Sequence, residues 1–584
     1  MNFHYSPGSN VTLAAVVVST IATILIGAYG MRVARTTSDF FVASRTVRPM
    51  WNASAISGEY LSAASFLGVA GLVMKYGVDM LWYPVGFAAG YLVLLLLVAA
   101  PLRRFGAYTI PDFAEGRLDS LALRRLATTF VLLIGWFYLL PQLKGAGVTL
   151  RTILGAPYWV GVVGVGALIT ANVFLGGMKG ITFVQAFQYW LKVTAISLPA
   201  IVLLLHYQAD NSPRLTVPVP PQFRTETVVR VRVDARFEVD AAIPVRVVGT
   251  LDGARYGPDR PSVTLPAGRH HAAAGAEITF PAGVTAPHAV GQPNADGRSW
   301  SRPFGAVSNE RSHPLFFTYS LMLATFLGTM GLPHILVRFY TNPDGRAARQ
   351  TTLIVLVLLG GFYVFPAVYG ALGRLYAPDL YLTKATDTVV LALPGRVFPG
   401  LPGELLSGLV AAGAFAAFLS TASGLLISVA GALAQDVFRG SVTDFRRGAA
   451  VAGTVAVGFG LLVEPFDINL LVGWAFAIAA SSFCPLLVLG IWWRGLTAAG
   501  AGAGIAVGGG LASAAILITM IGHPGPGWTE ALLGQPAAWS VPAAFLTMVV
   551  VSRLTARRMP AEVGAKMVAM HTPEALGLGR NYRD

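Results

Sequence analysis

Thirteen apolar stretches, each long enough to cross a lipid bilayer, run along this chain of 584 residues. A membrane-spanning helix needs about 20 mostly apolar residues to cover the hydrocarbon layer. The charged fraction is 12%, about half of the roughly 25% that is usual for soluble domains. We therefore predict an all-α integral membrane protein. The predicted spans are residues 11–31, 50–73, 78–101, 127–149, 158–177, 180–206, 314–337, 351–375, 404–434, 447–463, 468–493, 497–521 and 538–553.

Basic residues are concentrated in every second short loop between these spans. Arg103 and Arg104 follow the third span, Arg346 and Arg349 the seventh, and Arg494 the eleventh. Short loops rich in Lys and Arg remain on the cytoplasmic side of a membrane. The pattern predicts a multi-pass protein of the plasma membrane with its N-terminus outside and its C-terminus inside. These loops carry much of the net charge of +14, so the charge does not indicate binding to nucleic acid.

One long polar segment, residues 207–313, separates the sixth and seventh spans. Residues 228–239 (VVRVRVDARFEV) alternate apolar and polar side chains, which is typical of a half-buried β-strand. Residues 243–251 form a second candidate strand, followed by a turn at Asp252-Gly253. We predict a small β-rich extracellular insertion, whose role is partner contact, gating or decoration.

Two spans are interrupted by small and polar residues. The second span contains Glu59 near its middle, and the seventh contains GTMGLPH at residues 328–334. Irregular backbone is tolerated within a membrane where it lines a cavity, and paired interruptions in two halves of a chain indicate a transport site. The alternative is ordinary helix packing through small residues. The two interruptions lie five spans apart, which is the spacing of inverted five-helix repeats.

This spacing divides the chain into six segments. The first is an extra helix and a basic cytoplasmic loop, the second and fourth are the two core repeats, and the third is the insertion. Two extra helices and a cytoplasmic tail follow. Their boundaries are residues 1–49, 50–206, 207–313, 314–493, 494–553 and 554–584.

The ninth span carries two adjacent hydroxyl groups, Ser420 and Thr421, in an apolar helix. Hydroxyl and carbonyl oxygens are suitable ligands for a monovalent cation and carry no charge of their own. Taken alone, the pair is better explained by hydrogen bonds to the preceding helical turn.

Several motifs occur together in a fixed order between residues 38 and 423. They are SDFFVA (38–43), SGEYLSAASFLG (57–68), YTIPDF (108–113), GGMKGIT (176–182), GLPHILVRFYT (331–341) and AFLSTAS (417–423). On these motifs the chain resembles the solute:sodium symporter family, and most closely its cation/acetate (monocarboxylate) branch. The resemblance implies a LeuT-type core of two inverted five-helix repeats, with one helix before it and two after it. The insertion lies outside the match.

The resemblance also implies a sodium ion between the first and eighth core helices. The backbone carbonyls of Gly58, Leu61 and Ala417 and the hydroxyls of Ser420 and Thr421 are the implied ligands. Because the hydroxyl pair is intact, sodium is favoured over a proton as the coupling ion.

A small carboxylate is the substrate that we expect. Sugar-transporting relatives have long polar side chains where this chain has Ala64 and Ser65, and the positive helix N-termini at the breaks suit an anion. Our further substrate-binding candidates are Gln142, Lys192 and Thr329.

An ionisable residue within a span is a functional candidate by default. Glu59, Lys144 and His334 are assigned to gating or charge balance, and either Lys192 or Lys144 would attract the carboxylate. The alternatives are a buried Lys–Glu pair and lysines that extend to the membrane surface.

We therefore predict sodium-coupled import of acetate, propionate, pyruvate or lactate by alternating access. The alternatives are symport of another small solute (an amino acid, a sugar or a urea-like molecule) with sodium or a proton, and a membrane sensor that uses the insertion. We expect no enzyme, because the spans contain no catalytic motif. The predicted partners are the monocarboxylate and the lipid bilayer, and the resemblance allows a small accessory membrane protein.

Overall fold

The computed structural model describes most of the chain. The described residues are 10–33, 47–107, 109–231, 234–258, 262–290, 292, 294, 296–303, 313–438, 441–522, 525, 527–573 and 576. The motif at 38–43 lies outside them, as do Tyr108 and most of the tail after 573. The side chains of residues 175–179, within the motif at 176–182, are not described either.

The membrane part of the described chain is helical. Its helices are α1 (Asn10–Val33), α2 (Pro49–Tyr60), α3 (Ala64–Tyr76), α4 (Val78–Phe105), α5 (Ile110–Leu118), α6 (Leu121–Leu154) and α7 (Tyr158–Ala209) before the insertion. After α8 (Gly297–Ser301), which belongs to the insertion, follow α9 (Pro314–Thr329), α10 (Pro333–Phe339), α11 (Gly345–Tyr376), α12 (Asp379–Leu382), α13 (Val389–Val397), α14 (Leu401–Val437), α15 (Val442–Gly460), α16 (Ile468–Trp492), α17 (Ala498–Gly522), α18 (Trp528–Gly534), α19 (Ala537–Leu554) and α20 (Val563–His571).

Ten helices of the described residues are long and apolar enough to cross a membrane, and the pair α2–α3 makes eleven if it counts as one span. The two remaining predicted spans lie in the shorter apolar segment Tyr158–Phe174 of α7 and in α15. The helical pattern of α7 continues from this segment into Gly180–Ala209, so the fifth and sixth predicted spans are not separated by a loop. The total of thirteen stays a prediction, as does the orientation of the ends.

Both predicted interruptions are breaks in the helices. The helices α2 and α3 meet at an angle of 69°. Helix α9 ends at Thr329 and α10 begins with Pro333, whose missing N–H group costs nothing at the first position of a helix. Gly58, two residues before the first break, lies so close to α7 that a Cβ atom would be 2.2 Å from the Gln185 carbonyl oxygen. Only glycine allows this approach.

Helix α14 lies at the centre of the bundle, where its most apolar window is completely buried. It packs against α1, α6 and α7, and it contacts α2 close to the break before α3. This contact brings the hydroxyl pair of the ninth predicted span to the interrupted second span.

The insertion is an antiparallel sheet with its own apolar core. Its strands are β1 (Thr227–Arg230), β2 (Ala235–Val239), β3 (Ile243–Leu251), β4 (Ala254–Tyr256), β5 (Val263–Leu265), β6 (Gly268–Ala272), β7 (Glu277–Phe280) and β8 (His288–Ala289). The strand order is β1-β7-β3-β6-β2-β8, with β4 and β5 also paired to β3. Leu382 of α12 completes this core.

The single strand predicted over 228–239 is divided between two partners. Strand β1 pairs with β7, and Val231 extends this ladder by a hydrogen bond to Ala276. Strand β2 pairs instead with β6 and β8. An alternating pattern shows which face of a strand is buried, but it does not identify the neighbouring strand.

The insertion is attached to the first broken helix. Trp300 of α8 is buried, and its indole nitrogen donates hydrogen bonds to the carbonyl oxygens of Val73 (2.7 Å) and Met74 (3.1 Å) at the end of α3. The hydroxyl of Tyr381 also donates to the Met74 carbonyl. The end of α3 is thereby held by segments that lie outside the membrane helices.

Candidate cation and substrate site

The structure brings the residues predicted to bind sodium to one place. The hydroxyl of Ser420 on α14 donates to the Gly58 carbonyl oxygen at 2.7 Å and contacts the Ala417 carbonyl oxygen at 3.2 Å. The neighbouring hydroxyl of Thr421 donates to the carbonyl oxygen of Glu59 at 2.5 Å. Helix α2 ends here, so its last carbonyls lack helical partners and are free to accept these bonds.

The ammonium group of Lys192 lies among the same atoms. Its Nζ atom donates to the Leu61 carbonyl oxygen at 2.8 Å, to the Ser420 hydroxyl at 2.5 Å and to the carbonyl oxygen of Gly58. The Lys192 side chain extends from α7 and is completely buried. Lys192, predicted from the sequence to bind substrate, therefore contacts three of the five residues predicted to bind sodium.

An ion pair joins the two broken helices next to this position. Glu59 of α2 accepts a hydrogen bond from Arg338 Nε of α10 at 2.7 Å, and both side chains are 1% exposed. Arg338 also donates to Thr182 Oγ1 (2.8 Å) and to the Gln185 side chain, both on α7. Gln185 in turn donates to the Ser420 carbonyl oxygen at 2.8 Å. The Arg338 guanidinium is thus hydrogen-bonded on several sides, as a buried charge requires.

The predicted substrate residues other than Lys192 lie around the two breaks. Gln142 of α6 accepts from the backbone N–H of Ala63 at 2.9 Å, directly at the first break. Ser65 is hydrogen-bonded to Tyr363 of α11, and Thr329 to Tyr60, both at 2.9 Å. Ala64 is buried beside them.

An aromatic cluster lies between the breaks, and of its members only His334 was among the predicted site residues. We define it as Tyr60, Tyr91, Tyr138, His334 and Phe476. The ring centroids of Tyr60 and Tyr91 are 4.9 Å apart, those of Tyr60 and Phe476 6.2 Å, those of Phe476 and Tyr138 5.6 Å, and those of Tyr138 and His334 5.2 Å. The signal available in the sequence was the occurrence of Tyr91 and Tyr138 in the middle of apolar spans, because a buried hydroxyl needs a partner.

Two members of the aromatic cluster carry buried polar atoms that are unpaired within the described chain. They are the Tyr91 hydroxyl and both ring nitrogens of His334. Leaving a buried donor or acceptor unsatisfied costs about 1–3 kcal/mol. Such atoms in a native structure call for an explanation, and a bound solute is one.

Lys144 lies in a different charged group. It is buried on α6 and interacts electrostatically with Asp387 and Asp467. Lys75, at the end of α3, is 3.7 Å from Asp467. Asp387 lies between α12 and α13. Burial, and to a smaller extent the neighbouring Asp467, raise its pKa to about 6 against the opposing effect of Lys144 and Lys75. This group lies beside the end of α3 that Trp300 contacts.

Comparison with known proteins agrees with these features. The model of the sodium:solute symporter family matches residues 40–214 and 305–508, on both sides of the insertion. An uncharacterized symporter of Cupriavidus necator is 30% identical, over 90% of this chain and 88% of the relative. A monocarboxylic acid transporter of Corynebacterium glutamicum is 29% identical, over 93% of this chain and 90% of the relative.

A solved structure has the same fold. A Na+-coupled sialic acid symporter in a substrate-bound, outward-open state superposes with a TM-score of 0.62 at 14% identity, covering 94% of this chain and 98% of that one. This similarity supports the LeuT-type architecture and says nothing of the substrate. The resemblance inferred from the motifs is confirmed, and the matched proteins are transporters rather than enzymes. The chain is a multi-pass membrane protein and belongs to the sodium:solute symporter family.

Proposed function

We propose that this protein imports a small monocarboxylate, such as acetate, propionate, pyruvate or lactate, by alternating access. The observation that carries the proposal is the set of unpaired polar atoms of Tyr91 and His334 in the aromatic cluster between the broken helices. A hydroxyl and an imidazole N–H are donors that a carboxylate can accept from. The function of the Corynebacterium glutamicum relative, a monocarboxylic acid transporter, supports the same class of substrate.

The surroundings of these atoms favour a small acid over a long polar solute. Ala64 offers no hydrogen-bonding group, and the hydroxyls of Ser65 and Thr329 are already engaged by Tyr363 and Tyr60. The rest of the cluster consists of aromatic faces, which suit a short alkyl group. An acid with two or three carbons uses both kinds of surface.

The mechanism follows from the ties between the broken helices. Helices α2 and α10 are joined by the pair Glu59–Arg338 and by a hydrogen bond from Asn52 Nδ2 to the Arg338 carbonyl oxygen at 3.1 Å. The two half-helices therefore move together when the site opens to one side. In an ion-coupled transporter, substrate and ion each stabilise the state that binds the other, which is the basis of coupling.

Membership of the family implies sodium as the coupling ion. The oxygen atoms of Gly58, Leu61, Ala417, Ser420 and Thr421 have the chemistry that such an ion needs. In this structure, however, the Lys192 ammonium contacts three of these residues, so the set does not accommodate a sodium ion without moving Lys192.

The substrate assignment is tested by uptake of labelled propionate into proteoliposomes that contain the purified protein. Unlabelled acetate, pyruvate and lactate are expected to compete, and the neutral analogue propionamide is expected not to. Tyr91→Phe should raise KM because the hydroxyl contacts the acid. Equal competition by the acid and its amide would refute carboxylate recognition.

Tyr369→Phe is the matched control for Tyr91→Phe. The Tyr369 hydroxyl is equally buried but donates to the Ile196 carbonyl oxygen at 3.2 Å, away from the aromatic cluster. We expect it to cost about 1 kcal/mol of stability and to leave KM unchanged. A larger KM change for Tyr369→Phe than for Tyr91→Phe would place the substrate elsewhere.

A further inference from the structure

We propose that the ammonium group of Lys192 occupies the cation position of this transporter in place of a sodium ion. The inference concerns the coupling site of the proposed transport function. It departs from what family membership implies, and it rests on the contacts of one side chain with three of the five residues predicted to bind sodium.

The hydrogen bonds of Lys192 are complete. An ammonium group has three N–H donors and no acceptor. The three acceptors around Nζ are the carbonyl oxygens of Gly58 and Leu61, at the end of α2 and in the break, and the hydroxyl of Ser420 on α14. Each donor therefore has one partner, and these partners come from the two helices between which the family's ion is expected.

The two carbonyl oxygens that accept from Lys192 have no donor within their own helix. Leu61 and Gly58 lie where the helix ends, so their carbonyl oxygens lack the usual partner four residues later. In a sodium-binding relative an ion would satisfy them. Here a tethered positive charge does so, and it needs no ion from solution.

The charge balance leaves no place for a second cation. Glu59 is the charged group that acts on Lys192, and its carboxylate is already paired with Arg338. Two buried positive groups thus share one buried carboxylate. Repulsion from the Lys192 ammonium would lower the affinity for a sodium ion within about 4 Å of Nζ roughly a thousandfold, at an effective dielectric constant near 20.

The simpler alternative is a lysine that only stabilises the helix ends. If Lys192 is purely structural, its removal should lower the stability of the protein equally in every salt. If Lys192 occupies the cation position, removal of its side chain should in addition create a site for sodium. The response to sodium separates the two explanations, and it does not require a transported substrate.

The test measures thermal unfolding of the purified full-length protein, with sodium replacing potassium at constant ionic strength. An ion that binds the native state raises the melting temperature in a concentration-dependent way. For the wild type we expect equal melting temperatures in sodium and potassium. For Lys192→Ala we expect a lower melting temperature in potassium and a saturable rise with sodium.

Three further variants locate the response to sodium. Lys192→Ala/Ser420→Ala should lose most of the gained sodium response, because Ser420 supplies one of the ligands. Lys144→Ala removes another buried lysine without touching these atoms, and it should respond equally to sodium and potassium. If Lys192→Ala does not fold, Lys192→Met preserves the volume of the side chain, and it should be stable but indifferent to sodium.

Two results would overturn the proposal. Sodium-specific stabilisation of the wild type that is lost in Ser420→Ala would show that sodium occupies the site with Lys192 present. A Lys192→Ala protein that folds but responds equally to both ions would reduce Lys192 to a structural role. Because no acid is added, failure of the monocarboxylate assignment in uptake assays leaves this result interpretable.

Discussion

The ion pair between Glu59 and Arg338 provides the sharpest test of how the two broken helices are held together. We consider Glu59→Gln, which preserves the shape of the side chain and removes its charge. Arg338 then remains buried with hydrogen bonds to Thr182 and Gln185 but without a counter-charge. Removing one partner of a buried pair costs about 3–5 kcal/mol.

This cost converts into a measurable shift. One kcal/mol corresponds to roughly 2–4 °C in melting temperature for chains of 150–250 residues. Glu59→Gln should therefore melt about 6–20 °C below the wild type, and the length of this chain favours the lower part of that range. The assay is a fluorescence melt of purified protein, with aggregation followed in parallel.

The matched control is an exposed ion pair of the insertion. Arg230 Nε is 2.8 Å from Glu277, and both side chains are more than two-fifths exposed. Such pairs contribute about 0–1 kcal/mol, so Glu277→Gln should change the melting temperature by only a few degrees. If Glu59→Gln melts as close to the wild type as Glu277→Gln does, the buried pair does not stabilise the contact between the broken helices.

Three further predictions follow from contacts of the broken helices and their surroundings. Gly424→Ala would place a methyl group 1.9 Å from Glu59 Oε1 and should lower the melting temperature as Glu59→Gln does. The control is Gly431→Ala in the same helix, whose methyl group meets nothing within 4 Å and should leave the melting temperature unchanged or slightly higher. Trp300→Phe removes the donor to the end of α3 and should cost about 1 kcal/mol, read as a drop of a few degrees in melting temperature. Because the pKa of Asp387 is raised to about 6 by burial, the native state holds its proton more tightly than the unfolded chain does. The stabilisation by protonated Asp387 is fully present below about pH 4 and is lost as the pH rises through 6. Asp387→Asn should remove this part of the pH dependence of the melting temperature. An unchanged pH profile in this variant would contradict the assignment.

The parts of the fold that could be predicted were those set by local chemistry. Apolar length indicated the spans, and the Gly/Pro-rich segment at 328–334 indicated the break before Pro333. Strand β3 was predicted at its observed bounds, 243–251. The division of 228–239 between β1 and β2 was missed, because pairing partners depend on residues far along the chain.

The site was only partly predictable for the same reason. The meeting of Ser420 with Gly58 was expected only through the resemblance to a known family, since 362 residues separate the two. Lys192 was recognised as a buried charge. Its long side chain extends from α7 far enough to contact other segments, and the sequence does not indicate which atoms it meets. The aromatic cluster required five helices to be placed together before its unpaired atoms could be noticed.

We propose that a tethered ammonium group replaces the family's ion in this transporter, and that its substrate is a monocarboxylate. The most direct test is the initial rate of labelled propionate uptake into proteoliposomes with sodium, potassium or choline outside, at one pH and one membrane potential. We predict equal rates in the three salts for the wild type and sodium-stimulated uptake for Lys192→Ala. Wild-type uptake that requires sodium and is abolished in Ser420→Ala/Thr421→Ala would contradict the claim.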